Sequence, residues 1–475
     1  MPSLGIDKAQ LSQYFDRLKM ISFTNISGAE EIGSNSYLLE MDGTRIVLDA
    51  GMHPKKEGLA AVPQYDLIGE AGSLDAIFVT HSHLDHLGTL PVLQDKQPGA
   101  EVFMTPATAA LSSVMLHNSV NVMTSKRMEL GIVEYPFFTH SELDRLSESW
   151  ITHSCGEAFR IGSKKNVLAT LYDAGHILGS AGVMLESESG GTVFYTGDVQ
   201  FEDQSMIPGA DFPDGGVDTL ITECTRGNYD RPEDYARQAE LKRFADAITA
   251  TIERGGAVLV PVFALGKSQE MLYNLDHFKA KGWIPASTPV YFGGLSAKVT
   301  HFYDKFDNKT RRMDPGYLLK QEVDVVPLPR NGRGALRCEP GAIYLVSSGM
   351  MSEKTISNML AEQVLPNEKN SILFVGYCDP DSPAGMLKEM NVGDTVRLRR
   401  SGHPVPIHCD IKWFDFSGHS ARNLLVDYAK RLAPKRVILV HGDPEAVEWM
   451  RASLRQELPN TEILIPISGQ TYNLD

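Results

Sequence analysis

This chain is poor in cysteine, poor in aromatic residues, and short of positive charge. Its five cysteines lie scattered at Cys155, Cys224, Cys338, Cys378 and Cys409, with no CxxC pair. That pattern argues against a disulfide framework and against a zinc ribbon, and the expectation is a reducing, cytoplasmic compartment. No apolar run approaches the ~20 residues a bilayer span needs, and no charged n-region leads into an apolar h-region, so a membrane is not expected as a partner. Lys and Arg number 45 against 60 Asp and Glu, a net charge of −15. This excludes a generally basic, nucleic-acid-coating surface, and any attraction to a polyanion must be local. Internal repeats and low-complexity tracts are missing as well.

What is present is ordinary for a globular protein, with 42% hydrophobic and 22% charged residues. At 475 residues the chain suits two or three domains. "DKAQLSQYFDRL" near the start reads as a short amphipathic helix. "SYLLEMDGTRIVLDAG" reads as a hairpin about Asp42-Gly43, and "GVMLESESGGTVFYTGD" as another about Gly190-Gly191. A different style follows. "DYARQAELKRFADAITATIERGG" is a helix ending at Gly255-Gly256, "AVLVPVF" a buried strand, and "KSQEMLYNLDHF" a second helix. "AIYLVSSGMMSEKTISNMLAEQVL" and "SILFVGY" continue the alternation, which implies a parallel α/β sheet. The strand-rich style returns near the end with "RVILVHGDPEAVEWMRASL". These changes divide the chain into residues 1–212, 213–395 and 396–475.

One stretch concentrates chemistry. In "AIFVTHSHLDHLGTLP" an apolar strand from Ala76 runs into a turn holding His81, His83, Asp85 and His86, three of the chain's 14 histidines. Histidines at i and i+2 on extended chain point to the same side, so His81 and His83 can share one ion. Asp85 and His86, just beyond, suit a second position. Imidazole nitrogen with carboxylate oxygen is a ligand set for zinc or manganese.

The HxHxDH pattern resembles the signature of the metallo-β-lactamase fold, and further pieces of that pattern follow in order. "RIVLDAG" supplies Asp49, "LYDAGHILGSAG" supplies His176 and "VFYTGDVQ" supplies Asp198. The resemblance implies an αββα sandwich with a two-metal site, two Zn2+ or alternatively Mn2+. His81, His83 and His176 would hold one ion, Asp85 and His86 the other, Asp198 would bridge them, and Asp49 would orient the loop without ligating. The segment between Asp198 and the last strands is similar to the β-CASP domain, an α/β insertion found in nucleases of this superfamily. "LITECTRG" supplies Glu223, "PVFALGKSQEML", "VSSGMM" and "ILFVGY" match its core strands, "FDFSGHSARNLL" supplies His419 and "VILVHGDPEAVEWM" supplies His441. By that likeness His441 completes the second ion's ligands, His419 is the general acid, and Glu223 orients it and keeps it protonated. Asp85 is counted with His419 and Glu223 as catalytic as well as ligating. The chain departs from the family pattern at Ser420-Ala421, where many relatives have Ala-Asp, and in "VGYCDPDSPAGML", which lacks a glycine-rich run.

What the family implies is a zinc-dependent ribonuclease that hydrolyses single-stranded RNA in RNA processing or decay. It would act as an endonuclease, with 5′-to-3′ exonuclease action left open and a homodimer compatible with it. Histidine at 441 is the RNA-processing pattern, whereas DNA-processing members carry an apolar residue there. The chain is similar to the group that includes the pre-mRNA 3′-end endonuclease and minimal bacterial and archaeal enzymes, and is expected to lack both a KH-like extension and a further C-terminal domain. His53 in "LDAGMHP" is expected near the site as a loop residue, not a ligand. Ser347 and Ser348 are candidate phosphate-binding residues because a glycine and a helix start follow, with a plain turn as the equal alternative. Basic clusters at Lys126-Arg127, Lys309 with Arg311-Arg312, Arg330-Arg333-Arg337 and Arg397-Arg399-Arg400 are candidates for backbone phosphates. A DNA-repair nuclease, a non-catalytic RNA-processing scaffold and a small-molecule hydrolase are the alternatives.

Overall fold

The computed structural model describes residues 21–28, 31–329, 335–400 and 402–475. The expected helix "DKAQLSQYFDRL" lies outside them, as do Arg330 and Arg333. The chain divides into two compact units. One comprises the residues up to Glu202 with Gly209–Asp230 and His419–Asp475; the other comprises Asp203–Pro208 and Arg231–Gly418.

The first unit is built on two seven-stranded sheets. Both expected hairpins form. Tyr37–Met41 pairs with Thr44–Leu48 across a two-residue turn, where Asp42 (φ 52°) and Gly43 (φ 74°) both take positive φ. That conformation matches the right-handed twist of the strands it joins. Ala181–Ser187 pairs antiparallel with Thr192–Tyr195 around Gly190 and Gly191. Alternation along each strand then sorts side chains by face. Phe23, Tyr37, Leu48 and Phe78 from one sheet meet Val167, Leu185, Tyr195 and Ile221 from the other in the core between the sheets. Leu220, Phe194 and Val437 face the other way, onto Leu425, Tyr428 and Met450 of helices Arg422–Leu432 and Pro444–Glu457. Trp150 at the edge of the first sheet donates to Gln94 of helix Leu90–Lys96 (3.1 Å). The result is the expected αββα sandwich.

The second unit carries a five-stranded parallel sheet in the order Val290–Tyr291, Ile343–Val346, Val258–Pro261, Ser371–Phe374, Asp410–Trp413. Helices Arg237–Glu253 and Lys267–Ala280 follow the sequence reading, the first ending just before Gly255 at φ 73°. The division between units does not follow the compositional changes near 212 and 395. Strand Thr219–Glu223 lies between Thr192–Tyr195 and Arg436–Val440, so residues 213–230 belong to the first unit. Asp410–Trp413 pairs with Ser371–Phe374, so residues 396–418 belong to the second. Strand pairing decides membership here, and composition does not report pairing.

The site is delivered by strand ends. Asp49 follows Thr44–Leu48, Thr80 to His86 follow Ala76–Phe78, Asp198 follows Thr192–Tyr195, Glu223 ends Thr219–Glu223, and His441 follows Arg436–Val440. Two close backbone approaches fix the first of these loops. Ala50 N donates to His86 O and Met52 N to Leu84 O, both at 2.8 Å. Between them a Cβ on Gly51 would lie 1.8 Å from Asp85 O and 2.6 Å from Asn35 N. Gly51→Ala must therefore push the His81–His86 segment aside, at about 1–3 kcal/mol. Urea unfolding is expected to show a lower midpoint for this variant; an unchanged midpoint would contradict the close packing.

Candidate metal centre

Nine of the chain's acidic and imidazole side chains meet within the first unit as three overlapping groups: His81, His83, His176 with Asp198; Asp85, His86 with His441; and Asp198, Glu223 with His419. In the first group, His83 Nδ1 lies 3.2 Å from His81 Nε2 and 3.1 Å from His176 Nε2. Asp198 Oδ2 lies 3.5 Å from His81 Nε2 and 3.7 Å from His176 Nε2. Four ligand atoms at ~2.0–2.1 Å from a tetrahedral ion stand ~3.3–3.4 Å apart, and these spacings bracket that value. In the second, Asp85 Oδ2 is 3.3 Å from His441 Nε2 and 3.9 Å from His86 Nε2. Asp198 Oδ1 reaches this group, 3.3 Å from His86 Nε2 and 3.0 Å from His441 Nδ1.

Two observations test whether these residues fit bound cations. Asp198 Oδ1 is buried and accepts no aligned hydrogen bond, despite the two imidazole nitrogens beside it. A buried carboxylate oxygen without a donor costs free energy unless a cation answers it. Ring nitrogens of His81, His83 and His176 also converge on one another at 3.2 Å and 3.1 Å, a spacing at which they can share one ion. The donor set and its spacing fit divalent metal.

The charge pattern agrees. Burial, with His86 nearby, holds His81 well below the ordinary histidine value, and burial also lowers His83, so both rings are neutral with lone pairs available. Around Asp198 the balance reverses. Burial opposes charge on His86 and His441, but the carboxylates together outweigh it: Asp198, Asp49 and Asp85 raise His86 well above its usual value, and Asp198 with Asp85 raises His441 to about 10. Asp85, despite burial, is held down to about 2 by His86 and His441. Without cations the carboxylates are neutralised by imidazolium; a bound metal would take over that task.

Asp49, expected to orient the loop without ligating, stands against the cluster. It sits at φ 62° just past its strand and accepts from Thr80 N (2.7 Å), Thr80 Oγ1 (2.9 Å) and Tyr195 OH (2.9 Å). It also meets His86 Nδ1 at 2.7 Å, which turns Nε2 toward the second group. His419 Nδ1 lies 3.0 Å from Glu223 Oε2, and Glu223 Oε1 is held by Val199 N at 2.7 Å. Burial works against a charge on His419, but Glu223 and Asp198 overcome it and raise its pKa. Glu223 and His441 come together because Glu223 is in register with Val440 and Cys224 N donates to His441 O (3.0 Å).

Other expectations divide. His53 is buried and bonded to Glu31 at 3.2 Å, outside all three groups. Ser347 and Ser348 form a turn, in the second unit. Helix Ile356–Val364 begins well after them; Ser357 N bonds Ser347 O, and Asn358 N is capped by Thr355 Oγ1. These two helix donors are thus committed within the chain. Of the basic clusters, Lys126 pairs with Glu57 (2.6 Å), Arg127 donates to Tyr135 O (2.7 Å), Arg312 to Tyr303 O (2.6 Å) and Arg399 to Glu362 (2.8 Å). The sequence reading missed Asn35, whose Nδ2 is 3.0 Å from His86 Nε2, Tyr195, and Thr225, 3.1 Å from His441 Nδ1. Tyr195 was recoverable as the inward residue just before "TGD"; nothing in the sequence marks Asn35.

Removing the charge at Asp49 while keeping its shape isolates its role. Asp49→Asn is expected to weaken metal binding about 10–100-fold, read by competition with a chromophoric chelator. Unchanged affinity would remove Asp49 from the support of His86.

Comparison with known proteins accords with this geometry. Three family models match in order: the metallo-beta-lactamase superfamily over residues 29–107, the Beta-Casp domain over 268–387, and the Zn-dependent metallo-hydrolase RNA specificity domain over 404–466. The chain is 28% identical to cleavage and polyadenylation specificity factor 73 of Drosophila melanogaster, over 92% of this chain and 62% of that protein. It is 30% identical to endoribonuclease ysh-1 of Neurospora crassa, over 91% and 53%, and 25% identical to Integrator complex subunit 11 of Gallus gallus, over 96% and 74%. The chain thus spans less than two thirds of the first two relatives. A crystal structure of a protein of unknown function from Enterococcus faecalis matches with a TM-score of 0.53 at 14% identity, over 96% of this chain and all of that one, a likeness of fold alone. With the ordered motifs, the αββα sandwich and the inserted parallel α/β unit, the chain belongs to the β-CASP family of the metallo-β-lactamase superfamily.

Proposed function

We propose that this protein is a zinc-dependent ribonuclease that hydrolyses phosphodiester bonds of single-stranded RNA. The observation that carries the reading is the buried meeting of five imidazoles and two carboxylates at ion-sharing distances, with a His–Glu pair beside them. Its support from outside the chain is that relatives over most of this length are named for endoribonuclease and cleavage-factor roles.

His81, His83 and His176 would hold one Zn2+, Asp85, His86 and His441 the other, with Asp198 between them. Bound there, two divalent cations would supply Lewis-acid charge for phosphoryl oxygens and lower the pKa of bound water. The chain's own residues do the rest. Asp198 presents one oxygen to each group and so fixes their separation. Glu223 takes the Nδ1 side of His419, which leaves Nε2 to carry the second proton of the charged ring. Burial opposes that charge, but Glu223 and Asp198 favour it and raise the pKa of the ring. A departing ribose oxygen is strongly basic, and His419 would protonate it as the bond to phosphorus breaks. Near burial of the cluster limits the water that could compete for that proton.

Cleavage of 5′-labelled and internally labelled RNA, with and without chelator, tests the reading. The expected result is metal-dependent internal cuts that leave 5′-phosphate ends. His81→Ala is expected to abolish them, and His419→Gln to lower kcat by about 10²–10⁴. Preference for a matched DNA oligonucleotide would redirect the activity to DNA; full cleavage by His81→Ala in chelator would refute it.

A further inference from the structure

The loop after Glu223 carries a feature that the metal chemistry leaves unused. Tyr229 is 40% exposed, and the Arg226 guanidinium lies over its ring, 4.4 Å from the centroid. That distance is within cation–π range. The loop around the pair is fastened at several points. Thr225 Oγ1 lies 3.1 Å from His441 Nδ1. Gly227 N donates to Cys224 O (2.9 Å), and Tyr229 N donates to Arg226 O (3.0 Å). A Cβ on Gly227 would lie 2.2 Å from Ala446 O, so the turn rests directly on helix Pro444–Glu457. At the far end Arg422 pairs with Asp230 at 2.6 Å while lying 4.0 Å from the Trp449 ring centroid.

An exposed aromatic ring backed by a guanidinium, on a loop pinned to a candidate ligand, is preorganised for a flat partner. Tyr229 is four positions beyond Thr225, so at ~3.3–3.6 Å per residue their Cα atoms are within ~14 Å. At ~3.4 Å per stacked nucleotide, that reach covers a few nucleotides from the candidate centre. Stacking also suits this chain's charge. A protein with a net charge of −15 gains little from broad attraction to phosphates, whereas every base offers a π-face regardless of sequence.

We propose that Tyr229, backed by Arg226, is a stacking platform for one base of the single-stranded RNA substrate. The proposal rests on the ribonuclease reading above and adds a binding residue to it. Tyr229 touches the substrate away from the reacting phosphorus, so it contributes to binding and leaves the chemical step alone.

The test compares wild type, Tyr229→Ala and Tyr229→Trp, as full-length metal-loaded proteins, on a single-stranded oligoribonucleotide and on bis(p-nitrophenyl) phosphate, a diester without bases. Tyr229→Ala is expected to raise KM for the RNA about tenfold with kcat unchanged, and Tyr229→Trp to stay near wild type. All three should hydrolyse the base-free diester equally. In addition, an RNA with a single abasic nucleotide at the stacked position should bind wild type more weakly but Tyr229→Ala no differently, the mark of a direct contact. An unchanged KM for Tyr229→Ala would overturn the platform while leaving RNA cleavage standing. An equal loss on the base-free diester would assign Tyr229 to support of the fold and overturn it too. A wild-type protein that cuts the base-free diester but no RNA would overturn the ribonuclease reading, and the platform with it.

Discussion

Everything at the centre turns on one buried carboxylate. Asp198 faces His81 and His176 with Oδ2, and His86 and His441 with Oδ1. Removing a carboxylate from water is costly unless opposite charge surrounds it, and few arrangements answer both oxygens at once. In the absence of cations burial disfavours the charge, but His441 and His86 beside Oδ1 outweigh it and hold Asp198 well below the usual carboxylate range. Divalent cations would satisfy both sides without protons. The cluster is arranged to exchange protons for metal.

Such a constellation cannot be made locally. The four residues His81, His83, Asp85 and His86 all follow strand Ala76–Phe78, but His176, Asp198, Glu223 and His441 come from four other strand ends. Register brings them together. The parallel pairing of Thr219–Glu223 with Arg436–Val440 sets Glu223 beside Val440, and the chain then turns at His441 with φ 49°. Asp49 makes a similar turn at φ 62°. Non-glycine residues hold such backbone angles only where surrounding contacts determine them, and both stand next to the cluster. The cores on either face of the second sheet are what make that register rigid.

The sequence made the centre legible because metal chemistry restricts residue type. Histidines and aspartates in the order His81, His83, Asp85, His86, His176, Asp198 and His441 have few other reasons to recur behind apolar runs. Hairpin turns at Asp42-Gly43 and Gly190-Gly191 were equally readable, since positive φ selects its residues. Two things were not. Unit edges at 230 and 418 depend on which strands pair, and pairing partners lie far apart in the chain. The supporting shell was also hidden, because Asn35 and Thr225 act through hydrogen bonds that any turn asparagine or threonine can make. At Ser347 and Ser348 a glycine and a following helix suggested an anion site, and in the fold that helix start is capped by Thr355.

We propose that this centre would hold two divalent ions, with Asp198 reaching both. Anomalous scattering from a crystal of the metal-loaded protein, collected at the zinc edge, addresses it directly. Two peaks are expected in the first unit, one among His81, His83 and His176 and one among Asp85, His86 and His441, with Asp198 contacting both. A single peak, or peaks that leave Asp198 without a metal, would contradict it.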